Sequence, residues 1–181
     1  DLVILPQHDR PSAAANILPI LGALHRLTPA KLAAAAKMWR AQTAALSPPH
    51  IAALVGGDTK RHRFTAAHAA QLMQQATALT AAPGGSLLVT TSRRTSTAAC
   101  AQLRAVLEAS GLPHLFHDAH ASPPDGANPY LGFLGLAAAV VATGDSMSMC
   151  SEALVTGRPL FIFAPEDITS AKHRRLHTTL Y

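Results

Sequence analysis

Apolar runs of strand length recur along this chain and are separated by segments of helix length. Strands are predicted at Leu2–Leu5, Ile51–Val55, Leu87–Thr91, His114–Phe116, Ala139–Thr143 and Leu160–Ala164. Helices are predicted at Pro29–Leu46, Thr65–Ala81, Thr95–Ser110, Asn128–Leu136 and Ser146–Thr156. Strands that are apolar throughout and alternate with helices are typical of a parallel sheet with both faces covered. The pattern therefore predicts an α/β fold with a doubly wound, Rossmann-like parallel sheet and helices on both faces.

The two ends of the chain indicate a piece of a longer protein. Residue 1 is Asp rather than Met, and it leads straight into a predicted strand. The segment Lys172–Tyr181 stops inside a helical pattern. After the first strand, Asp9–Asn16 contains Pro11 and three alanines, which predicts an irregular connector. We therefore expect further chain on both sides of these residues.

Composition favours a cytoplasmic protein with a core of small side chains. Of the 181 residues, 49% are hydrophobic but only 4% are aromatic. The longest apolar run, Pro129–Gly144, is shorter than the roughly 20 residues of a membrane span and predicts a short helix before a buried strand. Cys100 and Cys150 have no motif spacing, and the chain opens without a signal-peptide pattern. These features favour a reduced intracellular location.

The positive charge is concentrated in three short groups. Lys and Arg exceed Asp and Glu by five, and the groups are Lys60–Arg63, Arg93–Arg94 and Lys172–Arg175. A nucleic-acid surface is usually a wider basic stripe interleaved with aromatic residues, so we do not expect a nucleic-acid partner. Grouped charge at one place would suit a compact anion such as a diphosphate.

The stretch Ala138–Pro165 carries the strongest functional signal. It predicts a buried strand, a tight Gly144-Asp145 turn, a helix and a second buried strand. The first amides of such a helix point at the carboxyl edge of the sheet and suit a phosphate. Asp145, Ser148 and Glu152 follow i, i+3, i+7 spacing, which predicts one shared face. This arrangement indicates a nucleotide site, with amides on the phosphate and an acid on the ribose hydroxyls.

A reading without a ligand accounts for most of the same residues. Asp145 and Ser146 are ordinary cap residues, Gly157 suits the end of a helix, and Pro159 suits a stop. Glu152 fits this reading less well, because an unpaired acid in an apolar helix between apolar strands is costly.

Two further loops are predicted at the same edge of the sheet, where ligands of open parallel sheets bind. Gly56-Gly57 follows one strand, and its glycines allow close approach of a ligand to the backbone. Ser92-Arg93-Arg94 follows another strand and offers a hydroxyl and two guanidinium groups. Either segment on its own is equally well explained as a plain turn or a solvated pair. The predicted binding residues are Gly56, Gly57, Ser92, Arg93, Arg94, Asp145, Ser146, Ser148 and Glu152.

Several of these segments resemble a known family. TGDSMSMCSEALVTGRP at Thr143–Pro159 looks like the nucleotide-sugar motif in the C-terminal domain of GT-B-type glycosyltransferases. DLVILPQHD (Asp1–Asp9), LVGGDTKRHRF (Leu54–Phe64), TTSRRT (Thr90–Thr95), NPYLGFL (Asn128–Leu134) and KHRRLHTTLY (Lys172–Tyr181) resemble the mitochondrial-fission Elm-like family. That family occurs in plants and in many bacteria, and we expect a bacterial member.

The resemblance implies two Rossmann-like domains facing a cleft. Residues 1–15 would then be the last strand of a missing N-terminal domain with its connector, and residues 16–181 the C-terminal nucleotide-sugar-binding domain. The resemblance places the diphosphate near Gly57 and Ser146, the ribose at Glu152, and Arg93 or Arg94 against phosphate charge. It leaves the catalytic residues unknown, because the base of such enzymes commonly comes from the N-terminal domain.

The leading expectation is therefore a glycosyltransferase-like domain that binds a nucleoside-diphosphate sugar, based on uridine, as substrate and needs no cofactor or metal. Its partners would be the nucleotide sugar, its own N-terminal domain and a membrane-associated acceptor, so a membrane-peripheral place in the cytoplasm is open. The alternative is a non-catalytic adaptor that keeps the fold and recruits a protein, as the plant members are associated with recruiting a dynamin-related protein to mitochondria. A third alternative is binding of nucleic acid through the basic groups. The polar residues His114, His117, Asp118 and His120 predict a polar loop more than a metal site.

Overall fold

A computed structural model describes residues 1–121 and 127–180, and it places the predicted elements within a few residues of their expected bounds. The strands are β1 (Val3–Pro6), β2 (Ile17–Ile20), β3 (His50–Val55), β4 (Ser86–Thr91), β5 (His114–His117), β6 (Ala139–Thr143) and β7 (Leu160–Phe163). The helices are α1 (Pro29–Thr43), α2 (Ala66–Ala81), α3 (Thr97–Ala109), α4 (Tyr130–Leu136), α5 (Met147–Ala153) and α6 (Ala171–Thr179). Short 3-10 turns occupy Gln7–Asp9, Leu154–Thr156 and Glu166–Ile168. The final residue of the Lys172–Tyr181 motif lies outside the described residues.

The central sheet has five parallel strands in the order β5-β4-β3-β6-β7. Ile51 of β3 pairs with Leu87 of β4 on one side and with Ala139 of β6 on the other. The chain builds outward from β3 in one direction and then returns to build on its other side from β6. This confirms the predicted doubly wound, Rossmann-like α/β fold. It also places the topological switch point between the carboxyl ends of β3 and β6.

Two apolar layers hold the helices against the sheet. Alternate residues of β3 face opposite sides, so Ile51, Ala53 and Val55 pack with α2 and α3, while Ala52 and Leu54 pack with α1, α4, α5 and α6. Both faces are therefore buried, which explains why the strands read as continuous apolar runs.

Small residues let the helices approach closely. A side chain at Gly132 of α4 would collide with the ring of Trp39 of α1, and that ring packs edge-on against Phe133 at 5.6 Å between ring centres. The run Pro129–Gly144 is thus a short helix followed by a buried strand, as predicted. In the described part of the chain, we find no helix with the length and apolar character needed to span a bilayer.

The first two strands stand apart from the central sheet. β2 was not predicted, because Pro19 within four residues weakens a strand pattern. It pairs in parallel with β1, with Val3 opposite Ile17. Apolar side chains remain exposed on this pair and just after it: Leu2, Val3, Ile4, Leu18, Leu21 and Leu24. The proposed boundary between residues 15 and 16 stays a prediction, and β2 lies with β1 rather than with the larger sheet.

Candidate functional site

The three loops singled out in the sequence meet at one edge of the sheet. They follow β4, β3 and β6, which are adjacent strands. The amide of Gly56 donates to Oγ1 of Thr143 at 2.7 Å, and Oγ of Ser92 donates to the carbonyl of Gly56 at 2.7 Å. The amide and the carbonyl of Gly56, just beyond the end of β3, are therefore hydrogen-bonded by side chains at the carboxyl ends of the neighbouring strands.

The carboxylate of Asp145 ties these loops together. Its side chain is only 2% exposed, and its Oδ2 accepts from the amide of Gly57 at 3.0 Å and from Nη1 of Arg94 at 2.8 Å. The same guanidinium nitrogen donates to the carbonyls of Gly57 and Asp58 at 3.2 and 2.9 Å. A buried acid with a charge-assisted partner is tolerated because the partner offsets its desolvation.

The ion pair between Asp145 and Arg94 changes the interpretation of these two residues, both of which were predicted to bind the nucleotide. Asp145 precedes α5, whose N-cap is Ser146, and its carboxylate is bound to Gly57 and Arg94. The predicted shared face of Asp145, Ser148 and Glu152 is therefore wrong, because only the last two lie on the helix. The guanidinium of Arg94 is therefore bonded within the protein although the residue is exposed, whereas the exposed side chain of Arg93 has no partner among residues 1–121 and 127–180.

The two glycines after β3 are required by internal packing. A Cβ at Gly56 would collide with the carboxylate of Asp145, and one at Gly57 would collide with the backbone of Arg94. The space expected to admit a ligand at these two positions is therefore filled by the protein itself. The sequence singled out both glycines for a close approach, and in the structure the groups that approach them are those of Asp145 and Arg94.

Glu152 is paired within the protein as well. The hydroxyl of Tyr130 donates to its Oε2 at 2.6 Å, which explains how an acid is accommodated between apolar strands. Burial, together with this acid, raises the pKa of Tyr130 well above its ordinary value, so the phenol stays protonated as the donor. Tyr130 lies 22 residues away in the sequence, and no local pattern connects the two.

Helix α6 also contributes to this edge, which the sequence did not reveal. His173 and His177 are 9% and 7% exposed, and a Cβ at Gly144 would come within 2.5 Å of Cε1 of His177. Nε2 of His177 and Oδ1 of Asp145 are both buried without a hydrogen-bond partner among residues 1–121 and 127–180. The Gly144-Asp145 turn is thus covered on one side by α6.

The polar segment after β5 folds against the start of α3. A ring nitrogen of His120, Nε2, is 2.8 Å from the carbonyl of Thr95, and Oδ1 of Asp118 accepts from the amide of His120 at 2.9 Å. Within the residues that the structure describes, no three His, Cys, Asp or Glu side chains are grouped as a metal would require.

Acidification is expected to destabilise the fold. Burial lowers the pKa of five histidines below the ordinary value of 6.5: His8, His50, His117, His173 and His177. Below about pH 6.5 these histidines are protonated more readily in the unfolded chain than in the folded protein. The free energy of unfolding therefore falls by up to about 1.4 kcal/mol per pH unit for each histidine. Urea unfolding between about pH 7.5 and 5.5 measures this slope. We expect His177→Leu to reduce the dependence of the free energy of unfolding on pH, and His25→Leu, at an exposed histidine, to leave that dependence unchanged. The same pH dependence in both variants would contradict this account.

Comparisons with known proteins identify relatives along the whole chain. The family model described as Mitochondrial fission ELM1 matches residues 1–181. The uncharacterized protein RP120 of Rickettsia prowazekii is 32% identical over 166 residues, covering 88% of this chain and 43% of that protein. The mitochondrial fission protein ELM1 of Arabidopsis thaliana is 28% identical over 184 residues, covering 90% of this chain and 42% of that protein. A solved universal stress protein from Archaeoglobus fulgidus is similar with a TM-score of 0.40 and 13% identity, covering 64% of this chain and 93% of that one. The chain therefore spans less than half the length of the curated relatives it matches.

Proposed function

This chain belongs to the mitochondrial fission ELM1 family, and from that premise we propose that it is a glycosyltransferase-like domain that binds a UDP-sugar. The observation that carries the proposal is the topological switch point between β3 and β6. Ligands of open α/β sheets bind in the crevice outside the carboxyl ends of the strands at such a point. Here the loops after both strands, at Gly56-Gly57 and at Gly144-Asp145, form this part of the sheet edge, although their glycines pack against the protein itself.

The groups available to a nucleotide are fewer than the predicted set. Arg93 and Ser148 are exposed, and Ser146 caps α5 by accepting from the amide of Met149 at 3.4 Å. In this proposal Arg93 and the first turn of α5 contact the diphosphate, while Asp145 and Arg94 hold the loops in place. The positive charge of Arg93 and the amide donors at the start of α5 would stabilise a leaving diphosphate.

Glu152 is the residue we assign to the ribose. Tyr130 holds one of its carboxylate oxygens, and among the described residues none donates to the other, Oε1. A carboxylate fixed by one bond presents its second oxygen in a defined direction, ready to accept from ribose hydroxyls. The proposal concerns binding; a catalytic base and a membrane-associated acceptor would be supplied by other parts of the full-length protein or by its partners.

Replacing Glu152 with Ala is expected to weaken binding of UDP about tenfold, a loss of roughly 1.4 kcal/mol. Calorimetric titration of UDP and UDP-N-acetylglucosamine measures it. Tyr130→Phe keeps the carboxylate but removes the bond that orients it, so the loss should be smaller. Glu108→Ala, at an exposed acid on α3, is the matched control and should bind as the parent does. If the Glu152→Ala variant and the parent bind UDP with equal affinity, Glu152 does not contact the nucleotide.

A non-catalytic adaptor is the second candidate, and the exposed apolar residues of β1 and β2 favour it. The relative named as a mitochondrial fission protein is consistent with recruitment of another protein. A folded chain that binds neither UDP nor UDP-N-acetylglucosamine at millimolar concentration would favour this second function over the first.

A further inference from the structure

A basic pocket lies between the loop after β3 and the start of α6. Its volume is about 420 Å³, and its charged and titratable lining residues are Lys60, Arg61, His62, Lys172, His173 and Arg175. The pocket thus joins two of the three basic groups seen in the sequence. These groups are more than a hundred residues apart, so only the fold brings them together.

The pocket carries an excess of positive charge. Four of its residues are cationic at neutral pH, and no acid lines it. Lys172 forms an ion pair with Asp9, which lies beside the pocket, while the side chains of Lys60 and Arg61 have no partner among residues 1–121 and 127–180. The lining itself therefore offers positive charge without an acid to balance it, a distribution that attracts anions.

Hydrogen-bond donors accompany this charge. Nε of Arg175 donates to the carbonyl of His8 at 3.0 Å, and no described residue accepts from its two Nη groups, which can donate to a ligand. Ala171 and Lys172 are the first two residues of the nine-residue helix α6, and their amides have no acceptor within the helix. Nδ1 of His173 accepts from the amide of Ser170 at 3.3 Å, so the neutral ring carries its proton on Nε2 and is a further donor.

We propose that this basic pocket binds a phosphate monoester. Two guanidinium groups, at Arg61 and Arg175, match the oxygens of a phosphate, and the ammonium of Lys60 adds a point charge. No Phe, Tyr or Trp lines the pocket, which argues against a stacked base as the main contact. The phosphate belongs either to a soluble compound or to the headgroup of phosphatidic acid. The proposal goes beyond the nucleotide site, because none of the residues assigned to the nucleotide lines this pocket.

The test uses the whole 181-residue chain and inorganic phosphate as the probe, titrated at constant ionic strength. We expect saturable binding that the double variant Lys60→Gln/Arg61→Gln weakens about tenfold or more, because it removes two cationic donors to the phosphate. The control Lys37→Gln/Arg40→Gln removes the same charge from the exposed face of α1 and should bind as the parent does. Equal weakening in both double variants would show non-specific attraction and overturn the proposal.

A variant that gains affinity separates binding from loss of structure. Asp9→Asn removes the acid that competes for Lys172, so phosphate should bind about fivefold more tightly, the effect of roughly 1 kcal/mol for one charge in water. Unchanged or weaker binding in this variant would contradict the assignment of Lys172 to the site.

Vesicles distinguish the two sources of the phosphate. Sedimentation with phosphatidylcholine vesicles, with and without phosphatidic acid, measures lipid binding, and phosphatidylserine vesicles control for surface charge. Recruitment by phosphatidic acid alone, lost in Lys60→Gln/Arg61→Gln, would identify the lipid headgroup. Binding of inorganic phosphate without recruitment to vesicles would identify a soluble ligand. Failure of both probes to bind the folded protein would overturn the proposal, whatever the outcome with UDP.

Discussion

Replacing Arg94 with Ala is expected to lower the free energy of unfolding by about 3 kcal/mol, whereas Arg93→Ala should change it by less than about 0.5 kcal/mol. Arg94 is the ion-pair partner of the almost fully buried Asp145, and it also donates to two carbonyls of the loop after β3. Its loss leaves a buried carboxylate with one amide donor. Because the side chain of Arg94 is itself 41% exposed, the expected cost lies at the lower end of the range for buried pairs.

Urea unfolding of both variants provides the measurement, and the two substitutions are matched in chemistry and adjacent in sequence. A double-mutant cycle with Asp145→Ala isolates the pair. We expect the double variant to be much less destabilised than the sum of the single ones. Additive effects, or equal effects at Arg93 and Arg94, would show that the pair does not hold the loops together.

Replacing Gly57 with Ala is expected to destabilise the protein by about 3 kcal/mol, the upper part of the usual range for overpacking. The added Cβ would meet the carbonyl carbon and oxygen of Arg94, and backbone atoms cannot rotate away as the end of a side chain can. The clash would also push apart the amide of Gly57 and the carboxylate of Asp145 that accepts from it.

Thermal unfolding measures this effect, which for a chain of this size corresponds to a fall in Tm of about 6–12 °C. The control is Gly84→Ala, a position with open space around it but with φ of +69°, so its expected cost is only the roughly 1 kcal/mol of a left-handed backbone. Similar losses at the two glycines would mean that the loop at Gly57 yields easily and that its packing is not restrictive.

These expectations affect how binding experiments on the proposed nucleotide site are interpreted. Loss of UDP binding in Arg94→Ala would not identify Arg94 as a ligand, because the variant also disturbs the loops at Gly57 and Asp145. Arg93→Ala is more informative, because among the described residues the side chain of Arg93 has no partner, and Glu152→Ala breaks only the bond to Tyr130. Binding and unfolding therefore need to be measured on the same variants.

The sequence predicted features that depend on neighbouring residues. Continuous apolar runs identified all five strands of the central sheet, and the helix predicted from Pro29 does begin there as α1, with Oγ1 of Thr28 accepting from the amide of Lys31. The pair β1 and β2 was only half predicted, because Pro19 obscures the second strand. The positions of Gly56, Gly57, Arg94 and Asp145 at one edge followed from the order of strands and loops.

Contacts between distant residues could not be predicted in this way. The same residue types fit a ligand or one another. Asp145 was predicted to be part of a nucleotide site, and in the structure its carboxylate binds Arg94, 51 residues away, while Glu152 accepts from Tyr130. Likewise Lys60 and Lys172 belong to separate basic groups in the sequence, and in the structure the position of α6 places both in the lining of one pocket. The spacing of apolar residues along the chain determines the helices and strands and their order, because each element must bury its own apolar face. Which charges meet depends on side-chain packing across the sheet edge, and that is set only when the chain has folded.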